Sequence, residues 1–331
     1  MRTVKLGHTG MEVPALGLGC MGLSEFYDAT GPEQPLDTLR RAAELGVTFL
    51  DTSDFYGIDF ANELLIRDFL AEHGRDGISL ATKFAAIRKP GTGELVGVRS
   101  DPEYVRDACE ASLRRLGVDH IDLYYLHHPD FTTPIEDTVG AMAELVAAGK
   151  IRHIGLSNVT AEQLRAGHAV HPITAVQNEW SLFTREFEDS VVPVCAELGI
   201  GYVAYSPFSR GFLTGRITST DGLAAHDLRH QMPRFHSANA GHNTTLLDPV
   251  RSIADARSVT MAQVALAWVL QRSDAHGITV VPIPGTRSRR RLEENVGALD
   301  LTLTGAELAA LEPIAAQVKG DRMPPPPDLG D

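Results

Sequence analysis

One pattern repeats along this chain and limits its fold more than any other feature: a helix with one apolar face, then a glycine, then a short apolar strand. It is clearest in three segments, Glu44 to Asp51, Leu113 to His127 and Glu197 to Ser206. Glycine often ends a helix, and regular alternation of helices with short apolar strands is typical of a parallel sheet covered by helices. The pattern therefore predicts an α/β protein.

Five helix starts carry a second signal, a Ser or Thr followed three residues later by Glu or Gln. In such capping boxes the two side chains bond backbone groups that have no partner inside the helix. We therefore expect helices to begin at Ser100/Glu103, Thr133/Glu136, Thr160/Gln163, Thr260/Gln263 and Thr304/Glu307.

Eight strands are predicted between the helices. Their number favours a closed (β/α)8 barrel, the TIM barrel, over a doubly wound sheet. Gly17 to Gly22 has the GxGxxG spacing of a dinucleotide-binding turn, but Leu23 to Pro35 reads as a loop, so we interpret the match as accidental. The strands are Ala15 to Gly19, Thr48 to Asp51, Ser79 to Lys83, Ile121 to His127, Ile151 to Leu156, Ala175 to Gln177, Gly201 to Tyr205 and Thr279 to Ile283.

Other segments complete the predicted architecture. An N-terminal β-hairpin around His8-Thr9-Gly10 is expected to close the barrel floor. An extra C-terminal helix, Ala306 to about Gln317, is expected outside the barrel. Residues 1–322 would form one domain, followed by a proline-rich tail, 323–331, that we expect to be disordered. The irregular stretch Arg210 to Thr245 follows strand seven, and we interpret it as a lid over cofactor or substrate.

Charge and composition exclude several classes of partner. The formal net charge of −13 repels polyphosphate backbones, so nucleic acid is not expected to bind. The chain has neither a signal-peptide pattern nor the roughly 20 apolar residues that span a bilayer, so we expect a cytoplasmic protein with no membrane partner. Cys20, Cys109 and Cys195 lack metal-ligand spacing and predict reduced thiols, with no metal site. The sequence does not determine the oligomeric state.

Polar residues stand at the predicted strand ends, where barrel enzymes place their sites. Strand two ends in Asp51 with Tyr56 close behind, strand three ends in Lys83, and strand four in His127. An adjacent ammonium lowers the pKa of a phenol, so we expect Lys83 to lower that of Tyr56 and Asp51 to balance the charge of Lys83. A neutral His127 could donate to a carbonyl oxygen. The set predicts a proton-transfer site.

Each of these four residues also has an ordinary structural explanation. Asp51 could cap a loop, Lys83 could be solvated, and Tyr56 and His127 could pack inside the barrel. Their joint occurrence at successive strand ends favours the functional interpretation.

Long ordered motifs make the chain resemble the aldo-keto reductase superfamily, in its bacterial and plant branch, over nearly its whole length. The matching segments are LGLGCMGLS (16–24), FLDTSDFYG (49–57), ATKF (81–84), DLYYLHHPD (122–130), HIGLSN (153–158), QNEWSLF (177–183), AYSPFSRGFLTG (204–215) and PIPGTRSRRRLEEN (282–295). The resemblance implies NADPH-dependent reduction of aldehydes and ketones to alcohols. Hydride would come from C4 of NADPH, a small carbonyl compound would be the substrate, and Tyr56 would be the acid.

The resemblance also assigns site residues by position. The family's catalytic tetrad falls on Asp51, Tyr56, Lys83 and His127, the set already proposed from the strand ends. For NADPH/NADP+, it places Ser157, Asn158 and Gln177 at the nicotinamide carboxamide and Tyr205 against the ring. The remaining contacts would be Ser206, Gly211, Phe212 and Leu213 at the phosphates, and Thr286, Arg287, Arg291, Glu294 and Asn295 at the adenine end. No metal is implied.

Four arginines, Arg287 and Arg289 to Arg291, surround the start of the helix after strand eight. Positive charge is disfavoured at a helix N-terminus, and a 2′-phosphate bound there would balance it, which favours NADPH over NADH. The ordinary alternative is that Glu293 and Glu294 neutralise these arginines.

Some features point to substrate choice. Phe55, Phe84, Trp180 and Phe208 are candidate substrate contacts, with core packing as the alternative. Two departures from the branch are His128, where Arg is usual, and Asp221-Gly222 in the lid; neither is expected to touch the tetrad.

Two other functions remain open at this stage. One is a regulatory subunit that binds NADPH tightly and turns over slowly, as similar potassium-channel β subunits do. The other is an alcohol dehydrogenase working in the oxidative direction, for instance on a pyridoxine-like alcohol.

Overall fold

The structure is a computed structural model that describes residues 1–27 and 34–323, and its largest sheet contains the eight predicted parallel strands. These eight are β3, β4, β5 and β8 to β12, hydrogen-bonded in chain order, which confirms the (β/α)8 prediction. The strands are β1 (Thr3–Lys5), β2 (Glu12–Pro14), β3 (Leu18–Gly19), β4 (Phe49–Asp51), β5 (Ser79–Phe84), β6 (Ala86–Arg88), β7 (Leu95–Val98), β8 (Ile121–Leu126), β9 (Ile151–Ser157), β10 (Ala175–Glu179), β11 (Gly201–Tyr205) and β12 (Val280–Pro282).

The first and last barrel strands meet through their backbones. The Gly17 N–H donates to the carbonyl oxygen of Pro282 over 3.0 Å. A Cβ atom at Gly19 would lie 2.7 Å from the carbonyl oxygen of Ile283, so only glycine permits this approach. β3 leads into a single 3-10 turn, Met21–Leu23, instead of a helix. The glycines therefore serve barrel closure, and the interpretation of their GxGxxG spacing as accidental is confirmed.

The helices surround the barrel. They are α1 (Pro35–Leu45), α2 (Ala61–His73), α3 (Pro102–Leu116), α4 (Ile135–Ala147), α5 (Ala161–Val170), α6 (Val191–Leu198), α7 (Ser237–Thr245), α8 (Asp248–Arg257), α9 (Met261–Leu270), α10 (Arg272–His276), α11 (Arg289–Val296) and α12 (Gly305–Leu311). Among the described residues, no single helix is long and apolar enough to cross a bilayer; only 248–257 and 261–276, bent by 99°, pass that test when combined.

Three of the five predicted capping boxes are confirmed, at Thr160, Thr260 and Thr304. The other two are wrong. Helix α3 is capped by Asp101, whose carboxylate accepts from Tyr104 N–H, because Pro102 occupies the first helical position. Helix α4 begins after Pro134 without a side-chain cap, and the Thr133 hydroxyl donates to Asp130 instead.

The N-terminal hairpin closes the barrel floor as predicted. Strands β1 and β2 pair antiparallel, and His8 N–H donates to Gly199 O, just before β11 begins. Leu6, Met11 and Val13 pack with the apolar side chains that fill the barrel interior. A second hairpin, β6–β7, follows β5 at the opposite end and was not predicted.

The extra C-terminal helix is present but shorter than predicted. α12 ends at Leu311, since Pro313 cannot continue a helix, and a 3-10 turn follows at Ala315–Gln317. The stretch 210–245 is also more ordered than a loop, with three 3-10 turns and α7. Apart from Met323, the tail predicted to be disordered lies outside the described residues.

Candidate active site

An ion pair between Lys83 and Asp51 lies at the C-terminal end of the barrel. Lys83 is the last inward-facing residue of β5, and its side chain is 0% exposed. Asp51 is the last residue of β4, and its side chain is 2% exposed. The ammonium also donates to Thr52 O over 2.8 Å, and Gln177 Nε2 donates to the second Asp51 oxygen over 2.7 Å. The predicted counter-ion is thus confirmed, and every charge is compensated at short range.

Tyr56 stands directly after β4 in a turn closed by its own N–H, which donates to Ser53 O. Its ring centroid is 5.1 Å from Lys83 Nζ, and the side chain is 8% exposed. Burial, followed by the negative charge of Asp51, raises the pKa of Tyr56 well above its usual value. The expected lowering by Lys83 was wrong for this arrangement, because Asp51 balances the ammonium. The phenol therefore keeps its proton at neutral pH.

His127 follows β8 and faces Tyr56. The two ring centroids are 5.7 Å apart, with the ring planes nearly perpendicular. Burial, then electrostatic interaction with His128 and Lys83, holds the pKa of His127 well below its usual range, so the imidazole is neutral as predicted. His128 stacks on the His127 ring at 4.9 Å, so the expectation that His128 does not touch the tetrad was wrong. All four tetrad residues therefore converge.

The residues predicted to hold the nicotinamide lie in or directly after β9, β10 and β11, and hydrogen bonds connect them to one another. Ser157 Oγ donates to Gln177 O over 2.6 Å, and Tyr205 Oη donates to Asn158 Oδ1 over 3.0 Å. Asn158 Nδ2 also donates to His127 O over 3.1 Å. These hydrogen bonds connect the C-terminal ends of three neighbouring strands with one another and with His127.

The loop after β11 contains the four residues predicted at the phosphates. Ser206 and Gly211 are half-buried. The side chains of Phe212 and Leu213 are fully buried in the core, and their N–H groups donate to Ser209 O and Phe208 O. The backbone N–H groups of these two residues are therefore already used within the loop.

The predicted adenine-end residues lie at and before α11. Arg287 Nε donates to Gly22 O, which ties this segment to the loop after β3. Thr286 Oγ1 accepts from Ser288 N–H. Glu294 lies 3.5 Å from an arginine of the stretch after β11, Arg216. Asn295 is 2% exposed, and its Nδ2 has no hydrogen-bond partner among the described residues.

The aromatic candidates for substrate contact divide into two groups. Phe84 stacks on Tyr124 and Trp180 packs against Tyr202, both fully buried, so these two belong to the core. Phe208 is partly buried against the core. Phe55 is half-buried and lies edge-on to both Tyr56 and His127. The ring of Phe55 thus meets two tetrad rings, whereas Phe84 meets the tetrad through its backbone, where its carbonyl oxygen accepts from His127 N–H over 2.9 Å.

The sequence did not predict two residues that pack against Phe55, namely Phe26 and Arg88. Phe26 stacks on Phe55 at 5.9 Å and meets Tyr56 edge-on, and the Arg88 guanidinium covers both phenylalanine rings. Arg88 pairs with Glu25 at 2.6 Å. No local pattern marks these residues, because Phe26 lies in a loop and Arg88 in the hairpin β6–β7.

A second missed contact comes from the C-terminal segment. Arg322 donates to Tyr205 Oη over 3.0 Å and pairs with Glu186 at 2.5 Å. From the stretch predicted to be a lid, Arg210 donates to Tyr27 Oη and Leu228 N–H to Phe26 O. These segments therefore meet at the C-terminal end of the barrel beside the tetrad.

Comparison with known proteins matches this geometry to one family. A sequence model described as "Aldo/keto reductase family" matches residues 15–316. A probable aldo-keto reductase 1 of Glycine max is 44% identical over 314 residues, covering 93% of this chain and 87% of the relative. Among solved structures, the glycerol dehydrogenase of Gluconobacter oxydans has a TM-score of 0.83 and 26% identity, covering 98% of each chain. A thermostable aldo-keto reductase in complex with the inhibitor epalrestat has a TM-score of 0.75 and 28% identity, covering 95% of this chain and 100% of the other.

Proposed function

We propose that this protein reduces aldehydes and ketones with NADPH and with Tyr56 as the acid. The chain belongs to the aldo/keto reductase family and is therefore an oxidoreductase of carbonyl and alcohol groups. The observation that carries the proposal is the convergence of Tyr56, His127 and the Lys83–Asp51 pair at the C-terminal ends of β4, β5 and β8. Barrel enzymes place their chemistry at this end.

The residues present fit a nicotinamide dinucleotide. Ser157, Asn158 and Gln177 present amide and hydroxyl groups beside the tetrad, which suits a carboxamide. The buried Nδ2 of Asn295, which has no partner within the part of the chain that the structure describes, suits an acceptor on a bound purine, since a buried donor without a partner costs free energy. When bound, the reduced nicotinamide supplies the hydride.

The protein's own residues then handle the proton. Tyr56 is protonated because its pKa is raised, so it can donate to the alkoxide that forms at the carbonyl oxygen. His127 is neutral and can donate a hydrogen bond to the same oxygen, which fixes the direction of the carbonyl. Phe26 and Phe55 form an apolar wall beside Tyr56 that would exclude water and favour an aromatic or apolar carbonyl compound.

The test is NADPH oxidation by the purified protein with aromatic aldehydes, methylglyoxal, pyridoxal and sugars. Tyr56→Phe should lower turnover by roughly 10²- to 10⁴-fold, the usual contribution of a general acid, while NADPH still binds. Tyr124→Phe is the matched control, because Tyr124 is fully buried and its Oη has no partner among the described residues. Wild-type turnover in Tyr56→Phe with an unactivated aldehyde would reject Tyr56 as the acid.

Oxidation of an alcohol is a second candidate, favoured by the likeness to the glycerol dehydrogenase of Gluconobacter oxydans. The same site supports alcohol oxidation, because in the reverse direction the deprotonated Tyr56 accepts the proton of the alcohol through the same geometry. NADP+ reduction with glycerol and with a pyridoxine-like alcohol measures it. Tight NADPH binding without turnover in either direction would favour the regulatory subunit.

A further inference from the structure

Ser53 is a fully buried residue between Tyr56 and His127. Its Oγ lies 3.2 Å from Nδ1 of His127 and accepts from Phe55 N–H over 3.1 Å. Its carbonyl oxygen accepts from Tyr56 N–H over 3.2 Å. One residue therefore holds the turn that carries the phenol and also contacts the imidazole.

We infer that Ser53 is a positioning residue for the proposed reduction: its hydroxyl donates to Nδ1 of His127 and so keeps the imidazole proton on Nε2. The inference rests on the proposed function, in which His127 must donate a hydrogen bond to the carbonyl oxygen. A neutral imidazole has one N–H, and the partner of one ring nitrogen decides which nitrogen carries it.

The surroundings of Ser53 Oγ direct its proton towards His127. The competing acceptors are farther away, Lys83 O at 3.4 Å and the Asp54 carboxyl at 3.5 Å. Lys83 O already accepts from Asp54 N–H over 3.1 Å. Burial raises the pKa of Asp54 well above its usual value and so disfavours the carboxylate, which is the stronger acceptor. Nδ1 of His127 is the nearest acceptor.

The surroundings of His127 lead to the same assignment. Within residues 1–27 and 34–323, Ser53 Oγ is the only hydrogen-bond partner of the His127 ring. Because its pKa is held well below the usual range, the ring carries a single proton. If Nδ1 carried that proton, it would donate to Ser53 and leave Nε2 as an acceptor, which would repel a carbonyl oxygen. With Ser53 as donor, Nε2–H and the Tyr56 hydroxyl are both available as donors.

The experiment combines nitrogen NMR of ¹⁵N-histidine-labelled full-length protein with turnover. The His127 signals are identified by their loss in His127→Asn. The wild type should show the proton on Nε2. Ser53→Ala should mix the two tautomers and lower turnover by about 10-fold, as expected from the loss of one hydrogen bond, with unchanged NADPH affinity. Ser53→Thr retains the hydroxyl and should restore both readouts.

Ser112→Ala is the matched control, because Ser112 is also a fully buried serine with a hydrogen bond, to Arg115, but lies on α3. A wild-type proton on Nδ1, or an unchanged tautomer and turnover in Ser53→Ala, would overturn the inference. If Ser53→Ala loses NADPH affinity and turnover while the tautomer is unchanged, Ser53 has only a structural role, and the inference is rejected.

The tautomer is measured without substrate, so it tests the role of Ser53 even if Tyr56→Phe refutes the proposed function. If the variants do not fold, the wild-type spectrum decides.

Discussion

The Asp51–Lys83 pair is stable in the barrel because its charges and hydrogen bonds are satisfied by near neighbours. Lys83 bonds Asp51 and Thr52 O, and Asp51 also accepts from Gln177. A buried ion pair has a large desolvation cost, and removing one partner leaves an uncompensated charge. The pair therefore contributes to the stability of the barrel as a unit.

Lys83→Met should abolish turnover and lower the free energy of unfolding by about 3 to 5 kcal/mol, because Asp51 would be left buried and unpaired. Urea unfolding measures the loss of stability, and NADPH oxidation measures turnover. Adding Asp51→Asn should recover part of the stability, since the remaining charge is removed, but no activity. A double variant as unstable as Lys83→Met would show that the pair's charge is not what stabilises this part of the barrel.

Helix α11 begins with a run of arginines, an unusual composition for a helix N-terminus. Its N-cap, Ser288, makes no side-chain cap hydrogen bond, and its first turn has no acidic residue. The two acidic residues of this helix contact arginines of other segments, Glu293 with Arg41 at 2.7 Å and Glu294 with Arg216 at 3.5 Å. The positive charge of the arginines and the backbone donors of a helix N-terminus together suit a bound phosphate at this helix start.

Arg291→Ala should weaken NADPH binding by about 1.5 to 3 kcal/mol, the range for a hydrogen bond to a charged group, and leave NADH binding nearly unchanged. The reason is that only NADPH has a 2′-phosphate. Fluorescence titration of both cofactors measures the two affinities. Arg114→Ala, an exposed arginine on α3, removes the same net charge and serves as control. Equal losses for NADH and NADPH would show that Arg291 does not read the phosphate.

For the whole molecule, several histidines are held neutral by the fold. Burial is the first cause of the lowered pKa of His127, His153 and His168, and it lowers that of His128 to about 4. In the unfolded chain a histidine has a pKa of about 6.5. Above that pH both states are neutral, and below it the unfolded state binds protons that the folded state does not. The free energy of unfolding should therefore fall as the pH falls below that value.

Urea unfolding at about pH 7.5 and about pH 5.5 tests this linkage, and the midpoint should be lower at the acidic pH. His153→Gln should reduce the difference between the two midpoints, because it removes one of the groups that titrate. A midpoint that is unchanged or higher at the acidic pH would contradict the prediction.

Local sequence alone predicted the barrel strands and the four residues of the candidate tetrad. Apolar periodicity and glycine positions predicted the eight strands, and polar residues at the strand ends predicted Asp51, Tyr56, Lys83 and His127. The eight strands are confirmed, and the four side chains lie close together because parallel strands in a barrel all end at one side, so positions along the chain convert directly into positions in space. The capping boxes at Ser100 and Thr133 failed because Asp101 caps α3 instead, and because the Thr133 hydroxyl donates to Asp130.

Only the tertiary structure decided what depends on distance and burial. The contacts of Phe26 with Phe55, of Arg88 with both rings and of Arg322 with Tyr205 join segments far apart in the chain. The pKa of Tyr56 is raised instead of lowered, because desolvation and the charge of Asp51 outweigh a cation that is already paired. A sequence shows which charges exist, whereas their effect depends on how deeply the fold buries them and which of them it brings into contact.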